Sequence, residues 1–119
     1  MTGEVHTLLI FLKRKPGTSV ADFRQHYEER HVPLSMTYMA GPLAYRRRYL
    51  EPTAGMPEPE FDVITELAFP SAAMRDAVLR AMAADRMPAD IVADEERFLD
   101  RTRSRFHALT ECETQLAEA

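Results

Sequence analysis

Several large classes of protein require features that this sequence lacks. Cys112 is the only cysteine, so the chain has no intrachain disulfide and no thiol pair for a zinc site. Its net charge of -4 is opposite in sign to the basic surplus of nucleic-acid-binding domains. No apolar run is long enough to cross a bilayer, and the N-terminus lacks a secretory signal pattern. We therefore expect a cytoplasmic protein with no nucleic-acid and no membrane partner.

Motifs for common cofactors are also missing. The sequence has no glycine-rich phosphate loop and no Gly-x-Ser-x-Gly nucleophile elbow. His26 and His31 are five residues apart, whereas two metal ligands on one face of an α-helix are about four apart. We expect no metal and no cofactor. The one basic run, residues 46–48, lies in a predicted strand, where alternation of faces favours solvated or salt-bridged arginines over an anion site.

The remaining sequence predicts one domain over residues 1–119, large enough for a hydrophobic core. Four segments have the composition of β-strands: 6–12, 43–50, 61–69 and 103–111. Helices are expected from 20 to about 30, after Ser71, and from about 89 to 100. Three prolines and a glycine between residues 51 and 60 predict a loop.

This order, βαββαβ with a short helix before the last strand, predicts an α+β, ferredoxin-like fold. In that fold an antiparallel four-stranded sheet carries its two main helices on one face. The first strand has no polar face between Leu8 and Leu12, although an antiparallel sheet with one solvated face should alternate. A second copy of the same sheet would cover the other face. We therefore expect a homodimer.

The first helix carries the leading candidates for chemistry. Ser19 is a suitable N-cap, and Pro33 is expected to end the helix after His31. Phe23, Tyr27 and His31 follow a four-residue spacing, so they share the face that packs inward. An imidazole beside a phenol at a buried helix end is suited to proton transfer. The alternative is a core histidine bonded to a backbone carbonyl.

Four other residues are candidates for the site, Tyr45 for catalysis and His6, Glu66 and Asp94 for substrate binding. Tyr45 shares a strand face with Arg47, and His6 begins the first strand. Asp94 lies on an apolar stripe, so it needs a partner such as an arginine or backbone amides, and an anchoring role is the alternative. Glu66 would be a buried acid with a raised pKa if its strand face meets the helices.

Several of these segments together resemble the EthD family. They are Lys13–Gly17, Phe23–Leu34 with its His-x-Pro-Leu, Leu43–Tyr45, Pro52, Phe61-Asp62, Glu66, Phe69 and Ala93–Asp100. The resemblance runs from about residue 6 to residue 110. Family members often have tryptophan where this chain has Tyr27. The tyrosine adds a hydroxyl that faces the expected pocket.

The resemblance implies a dimeric α+β barrel, in which two ferredoxin-like sheets close face to face and each subunit has its own pocket. That superfamily includes polyketide cyclases, lactone isomerases, cofactor-free monooxygenases and haem enzymes, and some EthD relatives look like dehydratases. We expect a cofactor-independent enzyme that cyclises, dehydrates or isomerises an apolar, oxygenated, aromatic or polyketide-like molecule. His31 would move the proton while Tyr27 and Tyr45 orient an enolate-like oxygen. A haem bound through His31 is a minor alternative.

Two further alternatives remain open from the sequence. The sequence is also compatible with a non-catalytic, ligand-binding accessory protein of an oxidative pathway. It is also compatible with a cofactor-free monooxygenase.

Overall fold

A computed structural model describes residues 5–117 and contains the predicted order of elements. The strands are β1 (His6–Leu12), β2 (Ala44–Tyr49), β3 (Val63–Phe69) and β4 (Arg105–Ala108). The helices are α1 (Val20–His26), a π-helical turn (Tyr27–His31), α2 (Val32–Met36), α3 (Ala72–Ala83), α4 (Ala89–Phe98) and a 3₁₀ turn (Arg101–Arg103). Residues 51–60 contain neither helix nor strand, as predicted.

The strands form one antiparallel sheet in the order β2-β3-β1-β4. This confirms the α+β fold with a four-stranded antiparallel sheet. Leu8 lies opposite Leu67 on one side and Ala108 on the other, which fixes the register of β1 with β3 and with β4. Strand β4 is shorter than predicted because its ladder with β1 extends only from Phe11 to Leu8.

The inner face of the sheet, which packs against the helices, forms the core. Alternate residues of β1 and β3 are buried, among them Leu8, Leu67 and Thr65. Phe23 from α1 and Phe98 from α4 are also fully buried, with ring centroids 5.6 Å apart. Their contact fixes α1 against α4 and determines which side chains these helices present to the space above the sheet.

The first helix does not end before Pro33, so that prediction is wrong. It continues through a π-helical turn into α2, where Pro33 lies in the first turn. In the π-helical turn the N–H of Val32 bonds to the carbonyl of Tyr27, five residues earlier. The shift to this spacing places Pro33 at the start of a new α-helical segment, where its missing N–H costs little.

The outer face of the sheet is partly apolar and partly ion-paired. Phe11 makes edge-to-face contacts with Phe61 and His107, at centroid distances of 5.4 and 6.0 Å. Glu66 pairs with Arg46 at 2.6 Å and with Arg48 at 3.4 Å. Two arginines of the basic run thus share one carboxylate on this face, in agreement with a salt-bridged strand. Among residues 5–117, no helix has the length and hydropathy needed to cross a membrane.

Candidate functional site

A cavity of about 580 Å³ lies between the inner face of the sheet and helices α2, α3 and α4. Most of its wall is apolar, from Leu67 and Phe69 of the sheet to methionines of α3. Polar groups enter the wall from the π-helical turn, from β2 and from α4. A large apolar cavity with a few converging polar groups is typical of a small-molecule site.

His31 lies in this wall at the end of the π-helical turn. Only 5% of the residue is exposed. Its Nδ1 donates to Asp94 Oδ2 over 2.8 Å, since a carboxylate oxygen only accepts. Nε2, the other ring nitrogen, lies 4.0 Å from Glu95 Oε2, and Glu95 also lines the cavity. The bond to Asp94 therefore leaves Nε2 as the proton-accepting nitrogen of the neutral ring.

Asp94 lies behind His31, outside the cavity wall. It is 4% exposed and accepts hydrogen bonds from two imidazoles, those of His31 and His26. Burial acts to raise the pKa of Asp94, but the hydrogen bonds from His31 and His26 outweigh it and lower the pKa. Its main partners are thus imidazoles, where the sequence indicated an arginine or backbone amides. Arg97 contributes only a long contact of 3.4 Å.

Tyr27 and Tyr45 both line the cavity. Tyr45 donates its hydroxyl hydrogen to the Tyr27 oxygen over 3.3 Å, and Tyr27 is bonded to Thr65 Oγ1 at 2.5 Å. Burial raises the pKa of both phenols, well above the usual value for Tyr27. Both side chains are therefore neutral at physiological pH, and they act as hydrogen-bonding groups in this wall.

The structure does not bring His6 and Glu66 into the cavity. His6 begins β1 opposite Phe69 and is not part of the cavity wall. Glu66 is on the outer face of the sheet, paired with Arg46 and Arg48, so the condition for a buried catalytic acid is not met. Their binding roles remain sequence-based predictions without support from the position of either side chain.

Two residues of the site were missed by the sequence analysis. His26 was considered for its spacing from His31, which does not suit a metal site, but its Nε2 donates to Asp94 Oδ1 over 2.9 Å. A spacing of five residues matches the hydrogen-bond period of the π-helical turn, which brings His26 and His31 to the same carboxylate. Glu95 lies next to Asp94 in the sequence, and that adjacency was the available signal.

Glu95 lies between His31 and Arg101 in the cavity wall. Arg101 Nε donates to Glu95 Oε1 over 3.0 Å, and Arg101 also pairs with Asp85. Burial raises the pKa of Glu95 in spite of the hydrogen bond from Arg101. Among residues 5–117, no group of three or more His, Cys, Asp or Glu side chains is arranged to hold a metal ion.

The Glu95→Gln substitution is expected to become more stabilising as the pH rises. The unfolded carboxyl titrates near 4.5 and the folded one at higher pH, so the wild type loses stability as the pH rises between these values. Glutamine does not titrate, so the free energy of unfolding of the variant relative to wild type should increase over that interval and then level off. Urea unfolding from about pH 4 to pH 8 measures it.

The exposed neighbour Glu96 supplies the control for this experiment. Glu96→Gln changes one carboxylate to an amide at an exposed position of the same helix, so its effect should be small throughout. A Glu95→Gln effect that is independent of pH would contradict the raised pKa.

The chain matches the model of the EthD domain over residues 15–102. No curated protein matches it. Among solved structures it is similar to an ethyl tert-butyl ether d (EthD) family protein from Bacillus halodurans C-125. The TM-score is 0.61 with 20% identity, over 90% of this chain and 99% of that one.

A hypothetical protein of Arabidopsis thaliana has the same fold. Its solution structure matches with a TM-score of 0.60 and 14% identity, over 93% of this chain and 91% of that one. A crystal structure of the Arabidopsis protein gives the same TM-score and identity, with 99% of that chain covered. At these identities the neighbours show the fold alone, whereas the domain match spans most of the sequence. The chain belongs to the EthD family.

Proposed function

We propose that this protein is a cofactor-independent enzyme that uses acid–base chemistry on an apolar, oxygenated small molecule. The observation that carries the proposal is the position of His31, whose Nδ1 is held by buried Asp94 while the residue lines a largely apolar cavity. The carboxylate fixes the ring orientation and tautomer, and it stabilises the imidazolium that forms on proton uptake. The reaction class is cyclisation, dehydration or isomerisation.

In this proposal His31 Nε2 removes a proton from a carbon beside a carbonyl of the substrate. The electron pair of the broken C–H bond moves into an enolate. The Tyr45 and Tyr27 hydroxyls stay protonated, since burial raises the pKa of both, and they provide hydrogen bonds for the enolate oxygen. The imidazolium of His31 then returns the proton to a different atom. The cavity volume suits an aromatic or polyketide-like molecule.

Deuterium exchange tests the proposal without knowledge of the substrate. The wild-type protein is incubated in D₂O with a panel of aryl alkyl ketones, and deuterium uptake is measured by mass spectrometry against buffer alone. Thermal unfolding with each compound measures binding. We expect at least one ketone that both stabilises the protein and exchanges faster in its presence. A panel with no accelerated exchange would contradict the acid–base proposal.

One observation favours the alternative of a non-catalytic ligand-binding protein. The Tyr45 hydroxyl donates to Tyr27, and Tyr27 is bonded to Thr65, so both phenols already have partners within the protein. In that case ketones would stabilise the protein with no exchange. A cofactor-free monooxygenase would instead consume oxygen with an electron-rich phenol, which an oxygen electrode detects.

We also propose that the protein is a homodimer of the cytoplasm, joined through the outer face of the sheet. Leu9, Phe11 and Ile64 alternate with the inner-face residues and are half-buried in the single chain. An apolar sheet face of this kind is buried in a stable protein by packing on another layer. The single cysteine is consistent with a reducing compartment.

The Leu9→Glu substitution is expected to convert the dimer to a monomer. It places a second carboxylate next to Glu66 on the outer face, where burial against a second copy would be costly. Val20→Glu is the matched control, because Val20 is a 37% exposed apolar residue of α1. Sedimentation velocity gives the masses. A monomeric wild type, or a Leu9→Glu variant that stays dimeric, would contradict the predicted interface.

A further inference from the structure

The Asp94 carboxylate is shared between two imidazoles that differ in access to solvent. His31 Nδ1 and His26 Nε2 bond to its two oxygens at 2.8 and 2.9 Å. The side chain of His26 is 18% exposed, whereas that of His31 is 7% exposed. The His26 ring is also stacked on Phe98, with a centroid distance of 4.4 Å, so its orientation is fixed. His26 is the member of this group closer to water.

One carboxylate neutralises only one imidazolium. When either ring binds a proton, its positive charge across Asp94 disfavours protonation of the other ring. Burial distinguishes the two rings, because a charge on the less exposed His31 is more costly than a charge on His26.

The other charged groups that face this pair are few. On α4, Arg97 Nη1 lies 3.4 Å from the Asp94 oxygen that His26 contacts, and its charge also disfavours a proton on His26. Glu95 faces His31 Nε2 at 4.0 Å and favours a proton there when it is ionised. Burial raises the pKa of Glu95, so this carboxyl stays partly protonated at a higher pH than an exposed glutamate. A protonated Glu95 carries no charge and does not favour a proton on His31. The two imidazoles remain the groups in direct contact with Asp94 at normal hydrogen-bond distance.

We propose that His26 is a positioning residue that holds Asp94 against His31 and keeps His31 unprotonated to lower pH. His26 does not line the cavity and acts only through the carboxylate. Its consequence for turnover rests on the proposed acid–base function. The coupling between the two imidazoles does not, because it is a property of the protein without substrate.

The test is an NMR titration of the histidine side chains in the wild type and in two variants. His26→Gln keeps an N–H donor for Asp94 but carries no charge, and His26→Phe keeps a ring against Phe98 but has no donor. In the wild type, His26 and His31 should titrate in two coupled steps separated by about one pH unit or more. In His26→Gln, His31 should titrate in one step whose midpoint is higher by about one unit.

His26→Phe separates the two parts of the role. The His31 midpoint should rise in this variant too, while loss of the donor should make the His31 signals broader or shifted, and His26→Gln should restore them. His107→Gln is the control, because His107 is on the outer face of the sheet and contacts Phe11. It should leave the titration of His31 unchanged. A His31 midpoint that is the same in the wild type and in His26→Gln would overturn the proposal.

The same variants connect the inference to activity. The ketone exchange rate should fall at low pH as His31 becomes protonated. In His26→Gln the midpoint of this fall should move to higher pH by the same amount as the His31 midpoint. If the wild type catalyses no exchange, the proposed function fails and the NMR coupling still decides the inference. If exchange occurs but His31 titrates independently of His26, the inference fails and the proposed function stands.

Discussion

The His31→Asn variant is expected to catalyse exchange of a responding ketone about 10²–10⁴-fold more slowly than the wild type. The amide nitrogen of asparagine occupies nearly the position of Nδ1, so it retains a donor for Asp94. Asparagine has no basic nitrogen where Nε2 lies, so no group at this position takes up the substrate proton. The variant separates the chemistry of the ring from its contribution to the fold.

The measurement is the initial rate of deuterium uptake at saturating ketone, with thermal unfolding as the check on folding. His107→Asn makes the same chemical change on the outer face of the sheet and should keep the wild-type rate. Exchange by His31→Asn at more than about half the wild-type rate would remove His31 from the mechanism, since general-base catalysis is worth far more than a factor of two.

The Phe23→Ala variant is expected to lower the free energy of unfolding by about 3–5 kcal/mol. Phe23 is 0% exposed, and its ring packs against Phe98, Tyr27 and Tyr49 at centroid distances of 5.6, 6.3 and 6.5 Å. Truncation removes these contacts and leaves a void at the junction of α1, α4 and the sheet. The surrounding helices and sheet relax only partly into such a void.

Urea unfolding followed by circular dichroism measures this loss. Phe106→Ala is the matched control, because Phe106 is only partly buried and already lines the cavity. Its truncation enlarges an existing space, so its cost should be less than half that of Phe23→Ala. Equal costs would contradict the assignment of Phe23 to the core.

Local chemistry explains which parts of the fold were predictable. Ser19 and Ser71 cap their helices by accepting bonds from Asp22 and Met74, contacts that span only three residues. The strand-forming composition of β1 and the four-residue spacing of Tyr27 and His31 likewise depend on nearby residues alone. Burial of Asp94 followed from the apolar stripe of α4.

The parts that were not predicted depend on long-range packing. Both faces of β3 contain apolar residues, so the sequence did not decide whether Glu66 or Thr65 faces the helices. The pairing of His26 with Asp94 joins residues 68 positions apart. The π-helical turn has no distinctive composition, and without it Pro33 marks a helix end. The resemblance to a family identified the fold but not these contacts.

The π-helical turn takes up one residue more than an α-helical turn, because its hydrogen bond spans five residues where that of an α-helix spans four. An extra residue is therefore accommodated within one widened turn, and the helical segments on either side keep nearly the relative rotation of a continuous α-helix. His31 at the end of this turn reaches Asp94, and Pro33 lies in the first turn of the next α-helical segment, where its missing N–H costs little. The widened turn thus separates the number of residues between His26 and His31 from the direction in which the second imidazole points.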